Sequence, residues 1–414
     1  MNKVKTFEKE INGITVLYIK VPFSLNTHVG FFSLSGSYAE NEKDQGLAHY
    51  LEHMFFKGTK NRDLFKISDD AALLGAKQNA YTSSYTNQYY LNVPKVNTDG
   101  AIELLCDMMF NPLFPEEEIK KERTVIQEER KMYEDDPQSF FFDKIGENFF
   151  NFQVGHKIIG TEETINSLNR EDFLRYHSKM YGLDNTILVI ASDMDCKNIF
   201  FSCEKHFSNH PFKHNGRDPM QSEILSSDNK QFIFGRKNIQ QTYMVGAFPT
   251  KGAKDPNNAL KECMMSIIGG GMFSLFFKEI REKLGLCYSV FAMDYLKNSE
   301  QSVSIFYSQT EPEKVKLVQD KMIEIVTDVK ENGFEKDEFE CGKASELGRF
   351  CRTNSSVSSM ANSAGTIYLL GEEPDFEKYY QDLLNLTLDD VNAYASENLP
   401  DVDDIYWGFM NPEK

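Results

Sequence analysis

"GLAHYLEHMFFKGT", residues 46–59, sets three polar side chains into an apolar stretch. His49, Glu52 and His53 stand among Leu47, Tyr50, Leu51, Met54 and Phe55. A buried helix gains nothing from two imidazoles and a carboxylate unless something binds them. At about 100° per residue, His53 falls near +40° from His49 and Glu52 near −60°, so one helix face carries all three. Two imidazoles at i and i+4 can hold one zinc ion, the borderline-soft metal that histidine and carboxylate ligands favour. Glu52 beside them can take a proton from a water on that metal. Such a site needs a third protein ligand and an open fourth position. Read alone, the stretch also fits a helix whose histidines are merely hydrogen-bonded.

A second stretch changes the balance. "EEEIKKERTVIQEERKMYEDDP" (116–137) reads as a long helix from Pro115 to about Asp135. Pro115 suits the first helical position, Glu116 to Glu118 suit the positive N-terminal end, and Asp136-Pro137 stops it. Glu122 and Glu129 are seven residues apart, within about 20° of one face. One of them can ligate zinc while the other orients a ligand histidine from behind. By itself this helix reads as a solvated charged face, and it carries information only beside the first motif.

The remaining pattern has two halves. Strand-like runs at 14–21 and 28–37 precede the motif helix, 79–95 is dense in Tyr and Thr, and "TILVIAS" (186–192) reads as a buried strand. The polar segment 210–229 is the linker candidate, separating residues 1–215 from 230–414. After it, "QFIFGRK", "QTYMVGAFP" and "SVSIFYSQ" read as strands, "LKECMMSII" as helix, and 312–333 as a helix stopped by Gly333. Helices are expected to dominate from 335 onward. The fold class is α+β: two similar domains, each a mixed or antiparallel sheet packed with helices.

Composition excludes several classes. The 414 residues are 41% hydrophobic and 26% charged, the balance of a globular chain. A net charge of −18 argues against nucleic-acid and anionic-membrane partners. It would suit a basic substrate, or simply solubility. The start, MNKVKTFEKEING, does not read as a secretory signal, and no uninterrupted apolar run approaches the ~20 residues that span a bilayer. The seven cysteines form no CxxC pair and their number is odd, so neither a disulfide framework nor a cysteine zinc module is expected. A reducing, cytoplasmic setting follows as the expectation.

The motifs together resemble the inverted-zincin metallopeptidases, the group of pitrilysin, insulysin and mitochondrial processing peptidase, in its short two-domain form. The resemblance covers nearly the whole chain. His-x-x-Glu-His is followed, 76 residues after His53, by Glu129 in "VIQEE". "GSYAENEKDQGLAHYLEHMFFKGT" (36–59), "LGAKQNAYTSSYTNQYY" (74–90) and "GHKIIGTEETI" (155–165) resemble the family's segments in order. "GGGMFSLFFKEIREKLGLCYSV" (269–290) resembles its glycine-rich loop and Arg-x6-Tyr pair. Ala76, Ser192 and Leu275 depart from the usual Gly, Gly and Arg, and a Pro-containing piece is missing near His156; none touches a zinc ligand.

The resemblance implies roles. His49, His53 and Glu129 match the ligands of one zinc ion per chain, and Glu52 matches the general base. Glu128 neighbours the ligand, but spacing and the flanking Val-Ile favour Glu129. Glu122 matches the carboxylate behind a ligand histidine. Asn79 and Ala80 match positions whose amide and backbone pair with an extended peptide. Arg281 and Tyr288 match the pair that reaches the scissile region, although an Arg and a Tyr there could also pack a helix end. The implied activity is a zinc endopeptidase acting on short or unfolded peptides. Two of the family's four domains make half of a clamshell, so a homodimer enclosing a chamber is the simplest partner expectation. The rival readings are a non-catalytic member, or a partner-dependent one, inside a larger complex.

Overall fold

The computed structural model describes residues 4–413. Among them, strands β1 (Lys5–Ile11), β2 (Ile14–Lys20), β3 (Asn26–Ser33), β4 (Lys77–Thr82), β5 (Asn87–Pro94) and β6 (Thr186–Ser192) form one sheet. A second sheet holds β7 (Gln231–Arg236), β8 (Thr242–Lys251), β9 (Cys287–Lys297), β10 (Gln301–Thr310) and β11 (Tyr406–Pro412). The strand orders are β1-β2-β6-β3-β5-β4 and β7-β11-β8-β10-β9.

Without β1 the two orders are the same pattern. β2 pairs β6 in parallel and β7 pairs β11 in parallel, and every other neighbouring pair is antiparallel. The internal repeat expected from the sequence is therefore a repeat of topology. It also places β4 and β9 as equivalent outermost strands.

Contacts group the chain up to Asp135, Phe152–Met220 and Thr353–Asp375 into one unit, and Asp136–Asn151, Gln221–Arg352 and the chain from Phe376 into another. The expected linker, 210–229, contains the 220/221 boundary and has no helix or strand. A single cut there is not the whole division, because two helices change sides. Pro137–Phe149 belongs with the second sheet and Val357–Leu369 with the first. The reason is apolar burial: Phe141 stacks near Phe234 and Ile145 reaches Gly408, while Gly365 lies against Phe32. Asp136 starts the first of these helices, its carboxylate accepting from Ser139 N at 2.7 Å.

Strand β11 corrects the expectation of helices to the end. It lies between β7 and β8 and buries Trp407, Phe409 and Met410. Strands β1 and β9 also escaped the reading. β1 carries Lys5, Glu8, Lys9 and Glu10 on an exposed edge, and only Val290 and Ala292 of β9 are buried.

In the first unit, one face of the sheet carries the core. Val29, Phe31, Tyr89 and Leu91 pack against Leu47, Tyr50, Leu51 and Met54 of the motif helix, Leu47–Met54. Ile119 and Ile126 of the helix Glu116–Asp135 join the same cluster. The Tyr50 hydroxyl donates to the Ile119 carbonyl and ties the two helices. All seven cysteines carry free thiols. No helix among the described residues is long and apolar enough to cross a membrane.

Candidate metal centre

The motif helix begins at Gly46, with φ of +89°, where a Cβ would lie 2.6 Å from the Ile159 carbonyl oxygen. Only glycine permits that turn at that approach. Glu40 supplies the cap: its carboxylate accepts from Gly46 N at 2.9 Å and Ala48 N at 2.7 Å. His156 Nε2 sits 2.9 Å from the same carboxylate, and its Nδ1 lies 2.7 Å from the Phe152 carbonyl. Burial pulls the His156 pKa down, but the Glu40 carboxylate outweighs it and raises it, while burial raises that of Glu40. "GSYAE" and "GHKIIGT" each hold half of this pair, which sequence reading left without a role.

The helix then turns Leu47, Ala48, Tyr50, Leu51 and Met54 inward and leaves His49, Glu52 and His53 partly buried on one side. His49 Nε2 lies 3.7 Å from Glu129 Oε1, and His53 Nε2 lies 3.5 Å from Glu129 Oε2. Both spacings are too long for hydrogen bonds. Donors about 2.0–2.1 Å from a shared tetrahedral ion would stand roughly 3.4 Å apart, so the three side chains are spaced as ligands of one centre. One ligand atom from each lies within 4.8 Å of the others, and no other such trio occurs among the described residues. Glu128, next in the chain, pairs instead with Lys131 at 2.8 Å.

Glu122 approaches from behind. Its Oε1 lies 2.8 Å from His53 Nδ1 and its Oε2 2.5 Å from Lys57 Nζ. This fixes the tautomer: His53 carries its proton on Nδ1 and turns the Nε2 lone pair toward Glu129. Among the described residues the buried Nδ1 of His49 has no hydrogen-bond partner, and the ring packs against that of His53 with centroids 4.8 Å apart.

Electrostatics suit a cation. Burial, with His53 beside it, pulls His49 down to about 3, leaving a neutral ring. Burial pulls on His53 as well, but the Glu122 hydrogen bond and the charges of Glu52, Glu122 and Glu129 outweigh it and raise its pKa. Burial pushes Glu122 up, yet the hydrogen bonds with His53 and Lys57 hold it below the usual range. Glu52 sits above the usual range, since burial and the Glu129 charge outweigh Thr82 and His53. Two imidazoles and a carboxylate crowded by further carboxylates are a donor set that zinc fits.

Strand β4 borders this centre. Its side chains alternate, with Asn79 and Tyr81 exposed while Ala80 packs on the core and Thr82 is buried. Ser83 N donates to the Thr86 carbonyl at 2.8 Å, so Thr82 and Asn87, the next pair in the register, do not bond each other's backbones. By alternation Ala80, opposite Tyr89, is a non-bonded position too. Ala80 and Thr82 therefore turn their N–H and C=O to the open edge, whereas Asn79 offers its side chain. The Thr82 hydroxyl donates to Glu52 Oε2. Sequence reading named Asn79 and Ala80 and missed Thr82, two residues on in the same quoted stretch.

Arg281 and Tyr288 lie in the second unit. Arg281 sits in a π-helical turn, Phe277–Lys283, with its guanidinium 4.6 Å from the Phe277 ring and 5.0 Å from the Tyr288 ring. Tyr288, on the outermost strand β9, is 79% exposed. All eight histidines precede residue 215, so the second unit has no counterpart of the imidazole pair.

Residues 15–162 match the family model described as Insulinase (Peptidase family M16), and residues 167–345 match Peptidase M16 inactive domain. An uncharacterized zinc protease of Rickettsia bellii is 32% identical over 74% of this chain and 74% of its own. The chain belongs to peptidase family M16. The uncharacterized zinc protease YmxG of Bacillus subtilis is 27% identical over 93% of both chains. The M16 fold extends to solved structures. A protease from Helicobacter pylori superposes with a TM-score of 0.90 at 20% identity, covering 99% of this chain and 100% of that one. A peptidase M16 inactive domain from Pseudomonas fluorescens gives 0.88 at 17% identity, covering 100% and 98%.

Proposed function

We propose that this chain is a zinc-dependent endopeptidase that cleaves short or unfolded peptides inside a chamber closed by a second copy of itself. The observation that carries the reading is the convergence of His49, His53 and Glu129 at ligand spacing, with Glu52 on the same helix face. Membership in M16 and the zinc-protease names of its relatives support it.

A zinc ion held by His49, His53 and Glu129 would polarise a peptide carbonyl and bring the pKa of a water toward about 7. Glu52, on the same helix face, would serve as the general base, holding and moving a proton at its carboxylate between a water and the leaving amine. Glu122 keeps His53 in the tautomer a ligand requires. The open backbone of Ala80 and Thr82, with the Asn79 amide, takes an extended peptide as an added strand. The resemblance assigns Tyr288 and Arg281 to substrate binding; within the second unit Tyr288 is exposed and the Arg281 guanidinium lies over its ring.

The homodimer rests on resemblance and on one chain holding both the metal centre and the Arg281–Tyr288 pair. A scaffold role would go with damaged ligands, and His49, Glu52, His53 and Glu129 are all present; a partner-dependent role would take the glycine-rich loop from another chain, and "IIGGGMF" (267–273) stands in this one.

The test is cleavage of unstructured peptides by zinc-loaded protein beside Glu52→Gln, with metal stoichiometry and light scattering on the same samples. Cuts abolished in the variant, one zinc per chain and twice the 47.6 kDa chain mass are expected. Zinc-loaded protein that cuts nothing would overturn the catalytic reading, and a mass near one chain would overturn the dimer.

A further inference from the structure

Glu52 is held by a buried relay. Asn87 is fully buried, and its side-chain amide donates to the Ala48 carbonyl at 3.2 Å and to Thr82 Oγ1 at 2.8 Å. The Ala48 carbonyl can only accept, which fixes Nδ2 as the atom facing both partners. Thr82 Oγ1, already accepting from Asn87, has one proton to give, and Glu52 Oε2 receives it. Among the described residues no hydrogen bond reaches Glu52 Oε1, so that oxygen is left for the reacting proton.

The strand geometry adds a second link. Thr82 and Asn87 face each other across β4 and β5, and cross-strand partners share one face of the sheet. A β-branched side chain has little χ1 freedom, so the hydroxyl direction follows the backbone. That backbone is the end of the open edge that offers itself to an extended peptide.

On the zinc-peptidase reading above, we propose that Thr82 is a positioning residue for the base. Asn87 sets the direction of its proton, and pairing of a peptide with β4 steadies the residue that orients Glu52. Substrate engagement and base orientation then share one side chain.

Thr82→Val keeps the β-branched shape and removes the proton, and Thr82→Ser keeps the proton. Crystal structures of both variants, zinc content, and separate kcat and KM values on an unstructured peptide are to be compared with the unaltered protein. In Thr82→Val, Glu52 should leave its present orientation and kcat should fall about 10- to 100-fold, with KM within about threefold and zinc fully bound. Thr82→Ser should restore the orientation and bring kcat back to within about threefold. An unmoved Glu52 in Thr82→Val, an undiminished kcat, or Thr82→Ser as impaired as Thr82→Val would overturn the proposal. If Thr82→Val does not fold, Thr82→Ala is read the same way. Should the unaltered protein cut no peptide, the peptidase reading fails by itself, and the Glu52 orientation still decides this proposal.

Discussion

His53 Nδ1 and Glu122 Oε1 stand 2.8 Å apart, on side chains 69 positions distant in the chain. The pair decides which nitrogen of His53 is free to bind a metal, and so Glu122 acts on the centre without touching an ion. Glu122→Gln keeps the shape and removes the charge. Zinc affinity should drop about 10- to 100-fold, measured by competition against a chromogenic chelator. An affinity equal to that of the unaltered protein would sink this role.

Glu40 and His156 give a stability prediction. Removing Glu40 strips two amides of the motif helix of their acceptor and leaves the buried His156 ring without its carboxyl partner. Glu40→Ala should therefore destabilise the first unit by about 3–5 kcal/mol, visible as a lowered Tm. A Tm unchanged within a degree or two would show that the pair holds nothing.

Two other buried histidines set an acid limit. Burial pulls His28 and His177 each down to about 4. His28 donates through Nδ1 to Asn92 Oδ1, at 2.9 Å, and among the described residues its buried Nε2 has no partner to take a second proton's hydrogen bond. A depressed histidine is neutral when folded and protonated when unfolded below about 6.5, so the unfolded state binds more protons there. Stability should fall as pH drops from about 6.5 to 4, by up to about 3 kcal/mol for each ring. Denaturant melts between pH 7 and 5 test this, and a flat profile would contradict it.

The exchanged helix Val357–Leu369 can be probed at Gly365, where an added Cβ would meet the Phe32 ring at 2.5 Å. Phe32 is fully buried in β3 and cannot move aside. Gly365→Ala should destabilise by about 1–3 kcal/mol through overpacking, although alanine favours a helix. Denaturant unfolding would show it; a neutral or stabilised variant would mean the helix does not lie on this sheet.

Much of this was legible in the chain itself, because it depends on local periodicity. The i, i+4 spacing alone puts His49 and His53 on one face, and Glu116 to Asp135 has its start and stop written in Pro115 and Asp136-Pro137. The strands Ile14–Lys20 and Thr186–Ser192 show as apolar runs for the same reason. Strand β11 could have been inferred from the repeat, since β6 closes the first sheet as β11 closes the second.

Other facts required the folded chain, because they turn on which distant surfaces bury one another. The choice between Glu128 and Glu129 is a matter of about 100° of helix rotation, and spacing can only favour one. In the fold Glu129 stands 3.7 and 3.5 Å from the two histidines, while Glu128 pairs with Lys131. The pairing of Glu40 with His156 joins segments 116 positions apart, and the hold of Thr82 on Glu52 depends on the register of a hairpin against a helix. The exchange of Pro137–Phe149 and Val357–Leu369 is the largest such decision. Each helix has an apolar face that either sheet could cover, and sequence records the face but not the partner. Sequence alone determined what chemistry the first half could hold; tertiary structure decided which carboxylate completes the trio and which hydroxyl bonds to Glu52, because only packing sets direction between elements.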